Sequence, residues 1–240
     1  MESFEISRVD GTRFQIENPT EVAERFFRCD PSSAYGVDRK GYDAWILVHG
    51  QDTQWFHTLL DDDIRVINGS NMHMRSPLRA WAALTTGDIL PWLEAIDVRW
   101  ALETLTGDQW QSARQHILNA IAELIAWDNI SIAGATKVLH MKRPYLVPIL
   151  DSYVGDVLAS PKPASKSRML MWSELMLDTL HNQLRANTEG ILALARDLAD
   201  QGLVRSPVRI LDALLWSAMP NSPFFRYMSL RELQRETHPF

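Results

Sequence analysis

The residue types most suited to chemistry lie together in Ile130–Leu158, ISIAGATKVLHMKRPYLVPILDSYVGDVL. Pro144 and Pro148 hold an extended connection, because each restricts its own φ and the residue before it. Asp151 then stands where a new helix can start, with Val154, Val157 and Leu158 as its buried side. One reading of Asp151 is an ordinary N-cap, among the commonest uses of aspartate. The other is a carboxylate displayed in a cleft beside the basic turn Lys142-Arg143, where it would stabilise developing positive charge. The two are compatible, since a capping carboxylate can keep one oxygen free.

The charge around this segment is uneven. From Lys137 to Arg168 there are six basic residues (Lys137, Lys142, Arg143, Lys162, Lys166, Arg168) and two acidic ones (Asp151, Asp156), although the 240-residue chain carries −6 overall. A cationic patch on an acidic body fits contact with one polyanion face, or else a solvated helix–loop–helix surface. Other constellations are missing. The seven histidines have no H-E-x-x-H spacing, and no G-x-G-x-x-G, G-x-x-x-x-G-K-[ST] or G-x-S-x-G occurs. Asp61-Asp62-Asp63 reads as a solvated helix end rather than a metal site. A single cysteine, Cys29, excludes a disulfide framework and a cysteine-held cluster. No metal or cofactor is expected. With 46% hydrophobic and 22% charged residues, no secretory leader and no apolar run near 18 residues, the composition is that of a globular, cytoplasmic protein.

The elements that must position these groups are almost all helical. Phe4 and Ile6 alternate before Asp10-Gly11, and Phe14 and Ile16 after it, which predicts a hairpin over 1–17 with a type I′ turn. Asn18-Pro19-Thr20-Glu21, Thr106-Gly107-Asp108-Gln109 and Ser229-Leu230-Arg231-Glu232 read as capping boxes, and Ser206-Pro207 as another helix start. The second of these opens a helix with the stripe Ala113, Ile117, Ile121, Leu124 and Ile125, and Ile210, Leu211, Leu214 and Leu215 share a face later on. Gly202 reads as the glycine that ends a helix. Residues 160–167 and Asp61 to Ser76 are expected to be irregular. The prediction is an all-α fold of about ten helices in a single two-lobed domain over 1–240. Its parts are the hairpin at 1–17, a helical lobe at about 41–127, a hairpin and aspartate segment at 130–158, and C-terminal helices at 165–240 packing with the N-terminal ones.

Ile132-Ala133-Gly134-Ala135-Thr136-Lys137-Val138-Leu139, followed by Pro148-Ile149-Leu150-Asp151-Ser152-Tyr153-Val154, resembles the signature of the helix-hairpin-helix DNA glycosylases. In that superfamily a glycine-containing hairpin precedes a helix, a proline-containing loop and the catalytic aspartate. Upstream, Tyr42 to Thr53 (YDAWILVHGQDT) is similar to the family's apolar helix ending in a glutamine. The chain also resembles an uncharacterised, mainly actinobacterial family with the pattern T-K-x-L-H-x-K-R-P-x-x-x-P-I-x-D and a later R-I-L-D-x-x-x-W, here Arg209 to Trp216. The departures are definite. The usual L-P-G-V-G hairpin is Ile130-Ser131-Ile132-Ala133-Gly134 here, and Tyr153 replaces the histidine that often follows the aspartate. The position where strand-nicking members carry a lysine is Ala133, with Lys137 one helical turn further on.

The resemblance implies a monofunctional N-glycosylase acting on double-stranded DNA. Asp151 would stabilise the oxocarbenium-like sugar as the base departs and orient the attacking water, by the logic of glycoside hydrolysis. The base must first be flipped from the stack, so Gln51 would fill the gap it leaves. Ser131, Gly134, Thr136, Lys137, Lys142 and Arg143 would hold the DNA backbone, and Trp45, His49 and Tyr153 would approach the base. The product would be an abasic site, in repair or in antiphage defence, and the base stays open among oxidised, alkylated, deaminated and hypermodified ones. A non-catalytic DNA-binding module of the same fold is the alternative.

Overall fold

The computed structural model describes residues 2–29, 42–50, 52, 54–69, 90–127 and 130–218. Among them are one two-stranded sheet and ten α-helices. Strands β1 (Ser3–Ser7) and β2 (Arg13–Glu17) pair antiparallel with Phe4 opposite Ile16 and Ile6 opposite Phe14, so the expected alternation buries Phe4, Ile6 and Ile16. The turn is not type I′. Such a turn needs positive φ at both central residues, yet only Gly11 (φ 82°) has it, while Asp10 does not. Arg8 N–H instead donates to Thr12 O (2.8 Å) and Gly11 N–H to Arg8 O (3.1 Å), making a three-residue loop with the glycine in the left-handed position. Asp10 secures it by accepting from the Thr12 hydroxyl (2.6 Å) and N–H (2.9 Å).

The helices are α1 (Pro19–Cys29), α2 (Tyr42–His49), α3 (Asp61–Gly69), α4 (Pro91–Glu94), α5 (Gly107–Ala126), α6 (Ile132–Lys142), α7 (Ser152–Val157), α8 (Lys166–Ala186), α9 (Thr188–Asp200) and α10 (Pro207–Ser217), with a 3₁₀ turn at Trp55–His57. Proline opens α1 and α10 as expected. The box at Thr106 is not formed: Thr106 flanks α5 without a side-chain capping bond. The box at Ser229 lies outside the described residues. The stretch expected to be irregular from Asp61 begins as α3 and runs helical to Gly69. Gly202 (φ 78°) ends α9 with Leu203 N–H donating to Leu198 O and Gly202 N–H to Ala199 O, both at 2.9 Å, which is a Schellman motif.

The predicted stripe of α5 is buried in full, and so are Ile210, Leu211, Leu214 and Leu215 of α10. These side chains belong to one contiguous apolar core. Each of these isoleucines and leucines contributes roughly 1.5–3 kcal/mol by leaving water. Helix α10 packs on α1, α7, α8 and α9, and α6 packs on α2, α3 and α5. The hairpin is fastened far along the chain. Ser7 N–H donates to Gln183 Oε1 (2.8 Å), Gln183 Nε2 to Glu5 O, Arg8 Nε to Val157 O (2.9 Å) and Val9 N–H to Leu158 O (3.0 Å). The strands therefore brace α7 from its C-terminal end.

Candidate functional site

Asp151 is the N-cap of α7, as its position predicts. Its Oδ1 accepts from Val154 N–H at 2.9 Å, and the residue is 8% exposed. Burial raises its pKa above the ordinary 3.8, against the opposing pull of the Val154 N–H, Lys137 and the Trp216 indole. Gly155, one turn into the helix, allows α7 to lie against the following segment: a Cβ there would stand 2.7 Å from Ser160 O and 2.9 Å from Trp172 Cζ2. The loop carrying Lys162 is thereby drawn onto the helix that Asp151 caps.

A second carboxylate, near enough to feel the charge of Asp151, was assigned no role by the sequence. Asp212 of α10 is 5% exposed, and burial together with the charge of Asp151 raises its pKa to about 6 despite Arg209. Arg209 Nη1 donates to Asp212 Oδ2, and Arg209 Nε donates to Asp43 Oδ1 at 3.0 Å. Asp212 Oδ1 finds no hydrogen-bond partner among the described residues. Arg205 Nε lies 3.2 Å from Asp43 Oδ2. Burial pulls the Asp43 carboxyl upward, but Arg209 and Arg205 outweigh it and leave it below the usual range. Tyr42 and His140 complete this interior. The Tyr42 hydroxyl donates to Lys137 O (2.6 Å), and the His140 ring, stacked on Tyr42, bonds Val147 O through Nδ1 (2.7 Å). Burial, with Arg209 nearby, depresses His140 to about 4, so it is neutral at physiological pH. Lys137 acts electrostatically on both Asp151 and Asp212. The two stretches T-K-x-L-H-x-K-R-P-x-x-x-P-I-x-D and R-I-L-D-x-x-x-W thus meet through Asp151, Asp212, Lys137 and Trp216, with Tyr153 against Trp216 at a 4.5 Å ring separation.

Lys142 and Arg143 correct the expectation of a basic DNA-facing turn. They are 0% and 2% exposed. Lys142 Nζ donates to Asp63 Oδ2 (2.6 Å) and Trp55 O (3.0 Å) and lies 3.8 Å from the centre of the Trp55 ring. Its pKa falls to about 8, chiefly through burial. Arg143 gives its guanidinium to the carbonyls of Ile96, Phe56, Lys142 and Leu93. Asp63 is likewise interior and not a solvated helix end: it accepts from Trp45 Nε1 (2.6 Å), Trp55 Nε1 (2.9 Å) and Leu60 N–H (2.8 Å) besides Lys142. A buried carboxylate is tolerated when its lone pairs are filled in this way.

The other predicted residues divide similarly. Thr136 is fully buried, its hydroxyl donating to Ile132 O (2.8 Å) and accepting from Leu150 N–H (3.0 Å), so it offers nothing to a phosphate. Ser131 caps α6 by accepting Gly134 N–H (3.1 Å), which takes that amide of the supposed phosphate clamp. Trp45 and His49 belong to the Asp63 cluster, the His49 ring lying 4.2 Å from Trp45 and 5.6 Å from Trp55. Gln51 lies outside the described residues. Of the basic residues from Lys137 to Arg168, Lys166 and Arg168 are exposed and Lys137 and Lys162 are half-buried. No described helix is long and apolar enough to cross a membrane.

No curated protein and no solved structure matches this chain. A model described as a family of unknown function, DUF6308, matches residues 70–219, which include Lys137, Asp151, Arg209, Asp212 and Trp216, and the chain belongs to that family.

Proposed function

We propose that Asp151 and Asp212 form the reactive centre of an N-glycosidic hydrolase, with monofunctional excision of a base from double-stranded DNA as the reaction. The observation that carries this reading is the meeting of two buried carboxylates across the packing of α7 on α10, one capping its helix and one raised to about 6 by burial and by the charge of the other. Groups whose environments set their proton affinities apart divide acid and base roles between them. Asp151, when ionised, opposes the charge that builds on the sugar, and Asp212 holds a proton near pH 6. Arg209 keeps Asp212 in place, and the Trp216 indole favours the ionised form of Asp151. DNA contact falls to Lys162, Lys166 and Arg168, on the segment packed against α7, instead of to Lys142 and Arg143.

The test is an excision assay on duplexes carrying oxidised, alkylated and deaminated bases and on phage DNA with hypermodified cytosine. Alkali-revealed breaks with the wild type, lost in Asp151→Asn, are the expected result. Full activity in Asp151→Asn overturns the reading. One observation favours a second reading, a binding module without chemistry: both carboxylates are more than nine-tenths buried. Salt-dependent DNA binding weakened by Lys162→Ala/Arg168→Ala, with no excision of any base, would establish it.

A further inference from the structure

We propose that the cleft between α2 and residues 203–206 binds a small ligand that carries one carboxylate or phosphate on an apolar ring. The cleft encloses about 350 Å³, its open mouth included. Three large apolar side chains line it while remaining about half exposed: Leu47 (48%), Tyr145 (50%) and Val204 (46%). A soluble surface rarely gathers such side chains around one depression unless something covers them.

Beneath that apolar lining the cleft is charged. Arg205 and Arg209 both line it, against the single carboxylate of Asp43, and His140 beside them is neutral. Arg209 is held bidentately by Asp43 and also by Asp212. Arg205 is less committed. Its Nη1 reaches only the neighbouring Val204 O (2.7 Å), and its Nε meets Asp43 as an ion pair but has no well-aligned acceptor among the described residues. The Phe27 ring lies 4.9 Å from Arg205 Cζ, within cation–π reach of the guanidinium. A planar fork with unused donors at the foot of an apolar cleft matches a carboxylate or phosphate, which it can hold through paired hydrogen bonds. A guanidinium can only donate, so the same fork disfavours a cation. The cleft shares Arg209 with the Asp151–Asp212 reading, but it rests on Arg205 and the apolar lining and stands if that reading fails.

The experiment is isothermal titration of the full chain with phenyl phosphate, benzoate, inorganic phosphate and benzylamine. At least one aromatic anion should bind saturably at one site, inorganic phosphate more weakly, and benzylamine not at all. Arg205→Gln should weaken binding about tenfold or more. Val204→Asp, an exposed position whose replacement leaves the core intact, should do the same with an unchanged Tm. Absence of saturable binding by both aromatic anions at millimolar concentration overturns the proposal. So does binding that neither variant alters, or inorganic phosphate binding as tightly as the aromatic anions.

Discussion

Asp151 and Asp212 lie near enough for the charge of the first to raise the proton affinity of the second, across the packing of α7 on α10. Burial first, and that charge with it, give Asp212 a folded-state pKa of about 6 against an ordinary 3.8. A carboxyl raised on folding stabilises the fold while it is protonated, and that contribution is lost as pH rises through the folded value. Relative to Asp212→Asn, the wild type should gain about 1.4 kcal/mol of unfolding free energy between about pH 7.5 and about pH 5. Urea unfolding of both proteins at the two pH values measures this, and a difference independent of pH would contradict the coupling.

Lys142 and Asp63 are both fully buried, so removal of one leaves the other charge uncompensated. Lys142→Met should cost about 3–5 kcal/mol. Adding Asp63→Asn should recover a large part of the loss, because an amide oxygen still accepts from Trp45 and Trp55. A double-mutant cycle in urea tests the pair. Additive losses would mean that the ion pair is not the source of the effect.

Arg143 satisfies four backbone carbonyls from one guanidinium. Lysine has the charge but not the fork, so Arg143→Lys should strand several buried carbonyls and cost about 2–4 kcal/mol. Thermal unfolding with a loss of only a few tenths of a kcal/mol would show that lysine can reach the same oxygens.

Gly155→Ala forces a methyl against Ser160 O and Trp172. It should destabilise the chain by about 1–3 kcal/mol and loosen the Lys162 loop from α7. Hydrogen exchange at residues 160–165 is the sensitive reading, and unchanged protection there would refute the packing role. Ser131→Ala, which removes only the α6 cap, should cost about 1 kcal/mol with no change at that loop.

What the sequence revealed was what local pattern determines. The α5 and α10 stripes, the proline-led starts, the Gly202 terminus and the N-cap role of Asp151 all follow from spacing or from one residue's own backbone preferences. What it hid was burial of charge. Lys142-Arg143 after a helix, beside two prolines, has the composition of a cationic surface. Only the convergence of Asp63, the Trp55 ring and the carbonyls of α4 and the 3₁₀ turn makes those side chains internal. Asp61-Asp62-Asp63 misled for the same reason, since a run of like charges gives no sign that its third member will meet two indoles and a lysine. Asp212 was hidden because it sits among the apolar residues of α10, where its only signal was the R-I-L-D-x-x-x-W pattern. The hairpin turn differed by one residue of loop length, which alternation in the strands does not encode.

The long reach of the N-terminal strands orders events during synthesis. Ser7 and its acceptor Gln183 are separated by 176 positions. The hairpin is made before α8, so until Gln183 has emerged the Ser7 N–H and the Glu5 carbonyl lack their partner. An isolated two-stranded hairpin is marginal in water. Its closure onto Gln183 and onto the Val157 and Leu158 carbonyls therefore waits on segments made well after the strands. A nascent chain halted before α8 should leave those strands open to protease, and the full bracing of the Asp151 helix would come only once Gln183 has emerged.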